Sequence, residues 1–184
     1  MITEHKVSYR LMNTISIRPE RAEEFDEIER VVEAAFAGAE HTDGDEHRLV
    51  RRLRESAEYI PELALVAADD DGRVLGYLMM SEIAVGAGKA VALAPLAVRP
   101  GFQHQGIGSR LIAAAHEAAR KLGYGVSVVL GEPAYYSRFG YVTARPAGIR
   151  APFEVDDKYF MYCKLDTGAD VPAGVVRYSD AFGL

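Results

Sequence analysis

The sequence predicts an α/β fold on one mixed sheet, an α+β arrangement in which an antiparallel front half runs into a βαβ unit. Three observations carry this expectation. Two β-rich runs, "ELALVAA" and "RVLGYLMMSEIAV", flank "DDDG", a polar cluster ending in glycine of the kind that joins antiparallel strands. A strand from about Ala90 to Val98 is followed by Ile107, Leu111, Ile112, Ala115, Ala119 and Leu122 at helical spacing, and then by "VSVVL". Strands joined this way are parallel, with a right-handed crossover. Finally, 184 residues at 49% hydrophobic and 26% charged suffice for one sizeable core, which predicts a single domain over 1–184.

The elements follow in order. "TISIR" reads as a short strand, and Pro19 and Glu20 open a segment with Phe25, Ile28, Val31, Val32, Ala35 and Phe36 on one helical face. "GAEHTDGD" interrupts it. Leu49, Val50 and Leu53 mark a second, shorter helix, with Asp45 placed to cap it and Arg51, Arg52 and Arg54 read as a solvated face. After the hairpin and the βαβ unit, Gly123 is a natural helix stop. Glu132 is expected to cap a short helix beginning near Pro133. One more strand is expected over Tyr159 to Leu165, and "GVVRYSDAF" offers another.

Charge and composition narrow the function. A net charge of -6 argues against sequence-independent nucleic-acid binding, which needs clustered Lys and Arg. The apolar stretch Ala90 to Val98 is far shorter than the roughly 20 residues of a membrane span, and the N-terminus lacks a signal-type apolar core. No nucleic acid, no membrane and a cytoplasmic location are therefore expected. Cys163, the only cysteine, sits in the strand-like run "YFMYCKL" and reads as a buried structural thiol. His41, Asp43, Asp45 and His47 in "HTDGDEH" are all capable ligands, but their spacing matches neither a zinc site nor a calcium loop, so the expectation is a polar loop and no metal.

The most informative stretch is "VRPGFQHQGIGSRLI", between a strand and a helix. Gly106 and Gly108 leave the first helical N–H groups accessible, and with the helix dipole these form a site for an anion such as phosphate. No Gly-Lys-Ser/Thr follows, so this is not a P-loop, and the glycine spacing is not that of the dinucleotide fingerprint. The plainer reading, a tight strand-to-helix turn with close packing, uses the same glycines.

Gln103, Gly106 and Gly108 match the Q/R-x-x-G-x-G/A motif of the GNAT superfamily of acyl-CoA-dependent N-acetyltransferases. As in that family, "LAV" precedes the motif on a strand and a helix follows it. The element order extends the resemblance roughly from Thr14 to Leu165. Within the superfamily the chain is most similar to bacterial predicted acetyltransferases with "PLAV" before the motif and "PAYYSRFGY" after the next strand.

The resemblance implies a GNAT-like acyl-CoA N-acyltransferase fold and acetyl-CoA (coenzyme A) as donor. The pyrophosphate would lie on the backbone amides of Gln105, Gly106, Ile107, Gly108 and Ser109, with the pantetheine arm paired like an extra strand along Leu96, Ala97 and Val98. Gln103 completes the motif, and the side chains of His104 and Gln105 either touch a phosphate or face solvent; Arg110 is a candidate for the ribose phosphate. Pro95 fits a bulge that would admit the thioester. The backbone at Ala97 or Val98 is a candidate for binding the thioester carbonyl.

Direct acetyl transfer needs a neutral amine, a stabilised carbonyl oxygen and a proton for the departing thiolate. A phenol is protonated at pH 7 and can supply that proton. The family's tyrosine lies four residues before the glycine ahead of the final aromatic, which here is Tyr136; packing of Tyr135, Tyr136 and Phe139 is the structural alternative. The asparagine common ahead of this helix is missing from "VVLGEPAYY". The general base is Glu82 or an ordered water. Acids around His41 to Glu46 are expected to border the acceptor, a small-molecule or protein amine. A noncatalytic acyl-CoA-binding or sensing module is the rival reading. The C-terminal strand and a helix surface offer a face on which a homodimer can form.

Overall fold

The computed structural model describes residues 14–38 and 44–184. Among these residues nine strands form the sheet, with β1 (Ser16–Pro19), β2 (Tyr59–Ala68), β3 (Val74–Val85), β4 (Gly88–Val98) and β5 (Val126–Leu130) in chain order across it. Next come β8 (Phe160–Lys164) and, at the edge, β6 (Val142–Thr143). β7 (Ile149–Arg150) pairs in parallel with β9 (Gly174–Arg177), which itself pairs antiparallel with the end of β3. β1 to β4 are antiparallel throughout, while β4 and β5 are parallel neighbours joined by α3 (Ile107–Lys121). The expected mixed sheet is therefore present.

Local chemistry explains the junctions. At the β2–β3 turn, the Asp69 carboxylate accepts from the amides of Asp71 and Arg73, and Gly72 takes a positive φ of 81°. α3 ends where Gly123 adopts φ 88°, with its amide bonded to the Arg120 carbonyl and that of Tyr124 to Ala119. Two strands escaped the sequence reading: β6 and β7 have only two residues each, too few to show a period.

Helices cover both faces. Alternation along the strands sends Leu63, Leu65, Leu78, Met80, Val91 and Leu93 to the face under α3, where they meet Ile107, Leu111, Ile112 and Ala115. The opposite face sends Ala64, Val66, Tyr77, Met79 and Ala97 against α1 (Phe25–Phe36) and α2 (Glu46–Arg54). The C-terminal segment closes this second face, for its last 3-10 turn (Asp180–Phe182) packs on α2 and the Arg52 guanidinium donates to the Ala181 carbonyl at 2.7 Å.

The α2 arginines depart from expectation. Arg51 and Arg52 are solvated, but only 7% of the Arg54 side chain is exposed. It reaches Glu20 at 2.7 Å and Glu29 at 3.3 Å, and its guanidinium lies 3.8 Å from the centre of the Phe25 ring. The reason is helical geometry: Arg54 stands four residues after buried Val50 and shares its face. Asp45 occupies the position before α2, yet its carboxylate turns to Arg52 at 2.7 Å and Arg48 at 3.7 Å instead of to the helix amides.

Candidate functional site

The site begins with a fault in the sheet. Along β3 and β4 the pairs run Gly76 with Val98, Tyr77 with Ala97 and Leu78 with Leu96, then jump to Met80 with Leu93. β4 therefore carries one extra residue in the Ala94–Pro95 stretch, the bulge that Pro95 suggested. On its other side β4 pairs with β5 only at Val91 with Ser127 and Ala92 with Val128. Beyond those rows the two parallel strands part, and the C-terminal half of β4 faces a gap.

Ladder phase decides which groups face that gap. The Arg99 amide donates to the Leu75 carbonyl at 2.8 Å, so by antiparallel alternation the Ala97 amide also turns toward β3. The amides of Leu96 and Val98 point the other way. Between the two positions expected to bind a carbonyl, the geometry thus leaves Val98 and removes Ala97, whose side chain packs under α1. The Val98 carbonyl faces outward too, accepting from Gln103 Nε2 at 3.2 Å.

At the top of the gap lies the glycine segment. Gly101, His104 and Gly106 take φ of 85°, 59° and 82°; His104 is the sole non-glycine residue with positive φ among the described residues. Gly106 precedes α3 with no side-chain cap, and the first bond into the helix is from the Arg110 amide to the Gly106 carbonyl. The amides of Gln105, Gly106, Ile107, Gly108 and Ser109 donate to no group among the described residues. A Cβ built on Gly106 would meet nothing within 4 Å, so the space beside this residue is open. Uncapped amides, open space and the helix dipole fit a phosphate group.

The side chains of this loop serve the loop itself. Gln103 folds back on Val98, Gln105 Nε2 reaches the Gly101 carbonyl at 3.2 Å, and the His104 side chain is exposed. Arg110 donates to the Ile15 carbonyl at 2.6 Å, tying α3 to the segment before β1.

α4 (Pro133–Tyr136) brings the two phenols beside α3. Glu132 caps it as expected, accepting from the Ala134 amide at 3.5 Å. The two tyrosines differ in placement. A Cβ on Gly108 would lie 2.5 Å from the Tyr135 hydroxyl, so this phenol sits on the first turn of α3. Tyr136 instead lays its ring on Gly131, where a Cβ would come within 2.3 Å of Cε2. Its ring meets those of Tyr135 and Tyr141 edge-on, at 5.0 and 5.6 Å between centroids. The Tyr136 hydroxyl makes no hydrogen bond among the described residues, and burial pushes its pKa well up, so it stays protonated at neutral pH. The contact of Tyr135 with Gly108 was not visible in the sequence.

Other candidates are engaged elsewhere. Glu82 accepts from Lys89 at 2.8 Å and from the Tyr124 hydroxyl at 2.6 Å, and these bonds hold its pKa down, which makes it a poorer base. Cys163 is buried, its thiol pushed up by desolvation and bonded to the Phe139 carbonyl at 3.5 Å. His41 and Asp43 lie outside the described residues. Asp45 is held low by its bond to Arg52, which leaves it committed as a partner.

Fold and site together define an α/β protein with an anion-receptive helix start above a gap between two parting parallel strands. The model of the acetyltransferase (GNAT) family matches residues 23–141, and the chain belongs to that family. It is 34% identical over 140 residues to the uncharacterized N-acetyltransferase YhbS of Escherichia coli K12, covering 74% of this chain and 83% of that protein. Identity to the uncharacterized N-acetyltransferase YjhQ of the same strain is 32% over 139 residues, covering 72% and 73%.

Solved structures agree. The structure of YhbS from Escherichia coli in complex with CoA superposes with a TM-score of 0.81 at 29% identity, over 94% of this chain and 93% of that one. A GNAT family acetyltransferase from Brucella melitensis in complex with acetyl-CoA gives 0.76 at 32% identity, over 92% and 99%.

Proposed function

We propose that this protein is an N-acetyltransferase that moves acetyl from acetyl-CoA directly to a primary amine. The observation that carries the reading is the row of undonated amides from Gln105 to Ser109, placed where β4 has parted from β5. The CoA and acetyl-CoA complexes of the two similar structures support it.

In this reading those amides hold the pyrophosphate, and the outward backbone of Leu96 and Val98 pairs with the pantetheine arm. The Val98 amide faces the thioester carbonyl and stabilises the charge that develops there. The donor supplies an activated acyl group. Tyr136 keeps its proton at neutral pH and gives it to the departing thiolate. An ordered water takes the proton of the acceptor's ammonium, since Glu82 is bound to Lys89 and Tyr124.

Calorimetry with acetyl-CoA and a thiol-release assay across polyamines, amino acids and alkylamines test the reading together. Binding without thiol release from any amine identifies a noncatalytic acyl-CoA module; absence of binding at millimolar acetyl-CoA refutes both. Tyr136→Phe keeps the ring and removes the proton, and should lower kcat by about 10²- to 10⁴-fold with acetyl-CoA affinity unchanged. Tyr135→Phe should keep kcat near wild type.

A further inference from the structure

The Tyr136 ring is held on three sides, by Gly131, Tyr135 and Tyr141. Of these, Tyr141 alone is fixed by side-chain hydrogen bonds to two separate elements. Its hydroxyl lies 2.7 Å from Ser127 Oγ on β5 and 3.0 Å from His116 Nε2 on α3. Tyr141 is 1% exposed and Ser127 fully buried. Their polar atoms therefore have no solvent to turn to, and the three groups satisfy one another. Burial keeps the imidazole neutral at pH 7, so the hydrogen-bonded trio of Tyr141, Ser127 and His116 carries no charge.

A phenol that makes no hydrogen bond of its own has nothing polar to fix its direction, so its aim depends on what its ring leans against. We propose that Tyr141, locked by His116 and Ser127, is the positioning residue that aims the Tyr136 hydroxyl, coupling the acid to the helix that begins at the glycine segment and to the strand that borders the gap. This rests on the assignment of Tyr136 as the acid.

The test is a double-mutant cycle in the full chain, with thiol release from acetyl-CoA measured on the amine that turns over fastest in the panel. Tyr141→Phe keeps the ring and cuts both bonds. It should lower kcat by about 10-fold, as small misplacements of reacting groups do, with the KM for acetyl-CoA within about twofold. In the Tyr136→Phe background the same change should cost nothing further, because there is no hydroxyl left to aim. Ser127→Ala, a milder cut of the same chain, should show the same pattern, and His116→Gln should retain more activity than His116→Leu.

A readout independent of turnover is the ring signal of Tyr136 in protein labelled on tyrosine, identified by its disappearance in Tyr136→Phe. Slow ring flipping in the wild type should give way to averaging in Tyr141→Phe. Equal losses in both backgrounds, or an unchanged Tyr136 signal, would make Tyr141 a packing residue and overturn the proposal. Wild-type turnover by Tyr136→Phe would overturn the acid assignment first, and this inference with it.

Discussion

Replacing Arg54 by Met tests how the α1–α2 layer is held on the sheet. Arg54 donates to Glu20 through Nε at 3.0 Å and Nη2 at 2.7 Å, and to Glu29 at 3.3 Å. Glu20, with 2% of its side chain exposed, also accepts from the Tyr59 hydroxyl at 2.8 Å. Methionine fills much of the space and supplies no cation, so Glu20 is left buried with only neutral hydroxyls near it. Breaking a buried pair from one side costs about 3 to 5 kcal/mol. In a chain of this size each kcal/mol moves the melting point by about 2 to 4 °C, so a fall of roughly 6 to 20 °C is expected.

The informative comparison is Arg54→Met with Glu20→Gln. That pair removes the uncompensated charge as well, and should recover at least half of the loss. Scanning calorimetry at low and high salt reads the effect, which should barely change with salt because a buried pair is little screened. A loss below about 1 kcal/mol, the range of exposed pairs, would show that Arg54 contributes no more than a surface arginine. A double variant no more stable than the single one would show that the isolated carboxylate is not the cause. Arg51→Ala, cutting an exposed pair to Glu29, is the control and should leave the melting point close to that of the wild type.

Other outcomes follow from the same geometry. Gly106→Ala, at φ 82° with open space around it, should cost about 1 to 2 kcal/mol through backbone conformation alone. Gly108→Ala has no such strain, but its Cβ must displace the Tyr135 hydroxyl; acetyl-CoA affinity by calorimetry should fall further than the melting point does. Glu24 is held below the usual carboxylate range chiefly by its bond to Arg18, so it stabilises the fold above the unfolded-state pKa and ceases to do so as pH falls through the depressed folded value. The stability gap between wild type and Glu24→Gln should therefore be full at pH 7 and close below pH ~4. His116 is pushed down to about 4 by burial, so the unfolded chain binds its proton first and stability should rise with pH between 4 and 6.5. A titration of melting points that shows the same slope in His116→Gln would contradict this.

Much of the architecture was readable because it repeats locally. The apolar positions of α1 and α3, the Asp-Gly turn between β2 and β3, and the stop at Gly123 each depend on residues within a few positions of one another. The glycine segment was readable for the same reason, since a helix start exposes its own amides. Arg54 was misread because its charge outweighed its position, although its spacing from Val50 put it on the buried face. Glu82 was open as a base until Lys89 and Tyr124 were seen to hold it. Resemblance to the family's motif ranked Tyr136 above Tyr135, but nothing in that motif tells which phenol touches Gly108.

The sequence by itself determined the order of the longer elements, the mixed sheet and the uncapped helix start, because period, turn chemistry and the orphan amides of a helix start are short-range properties. Only the tertiary structure decided which amides of β4 face the gap. Ladder phase depends on Leu75, a strand away, and on a bulge that the register with β3 reveals. It also brought Tyr141 onto His116 and Ser127, residues 25 and 14 positions away, joined by hydrogen bonds that no local pattern encodes. Contacts between distant segments arise where independently formed faces pack, and their partners are chosen by that packing.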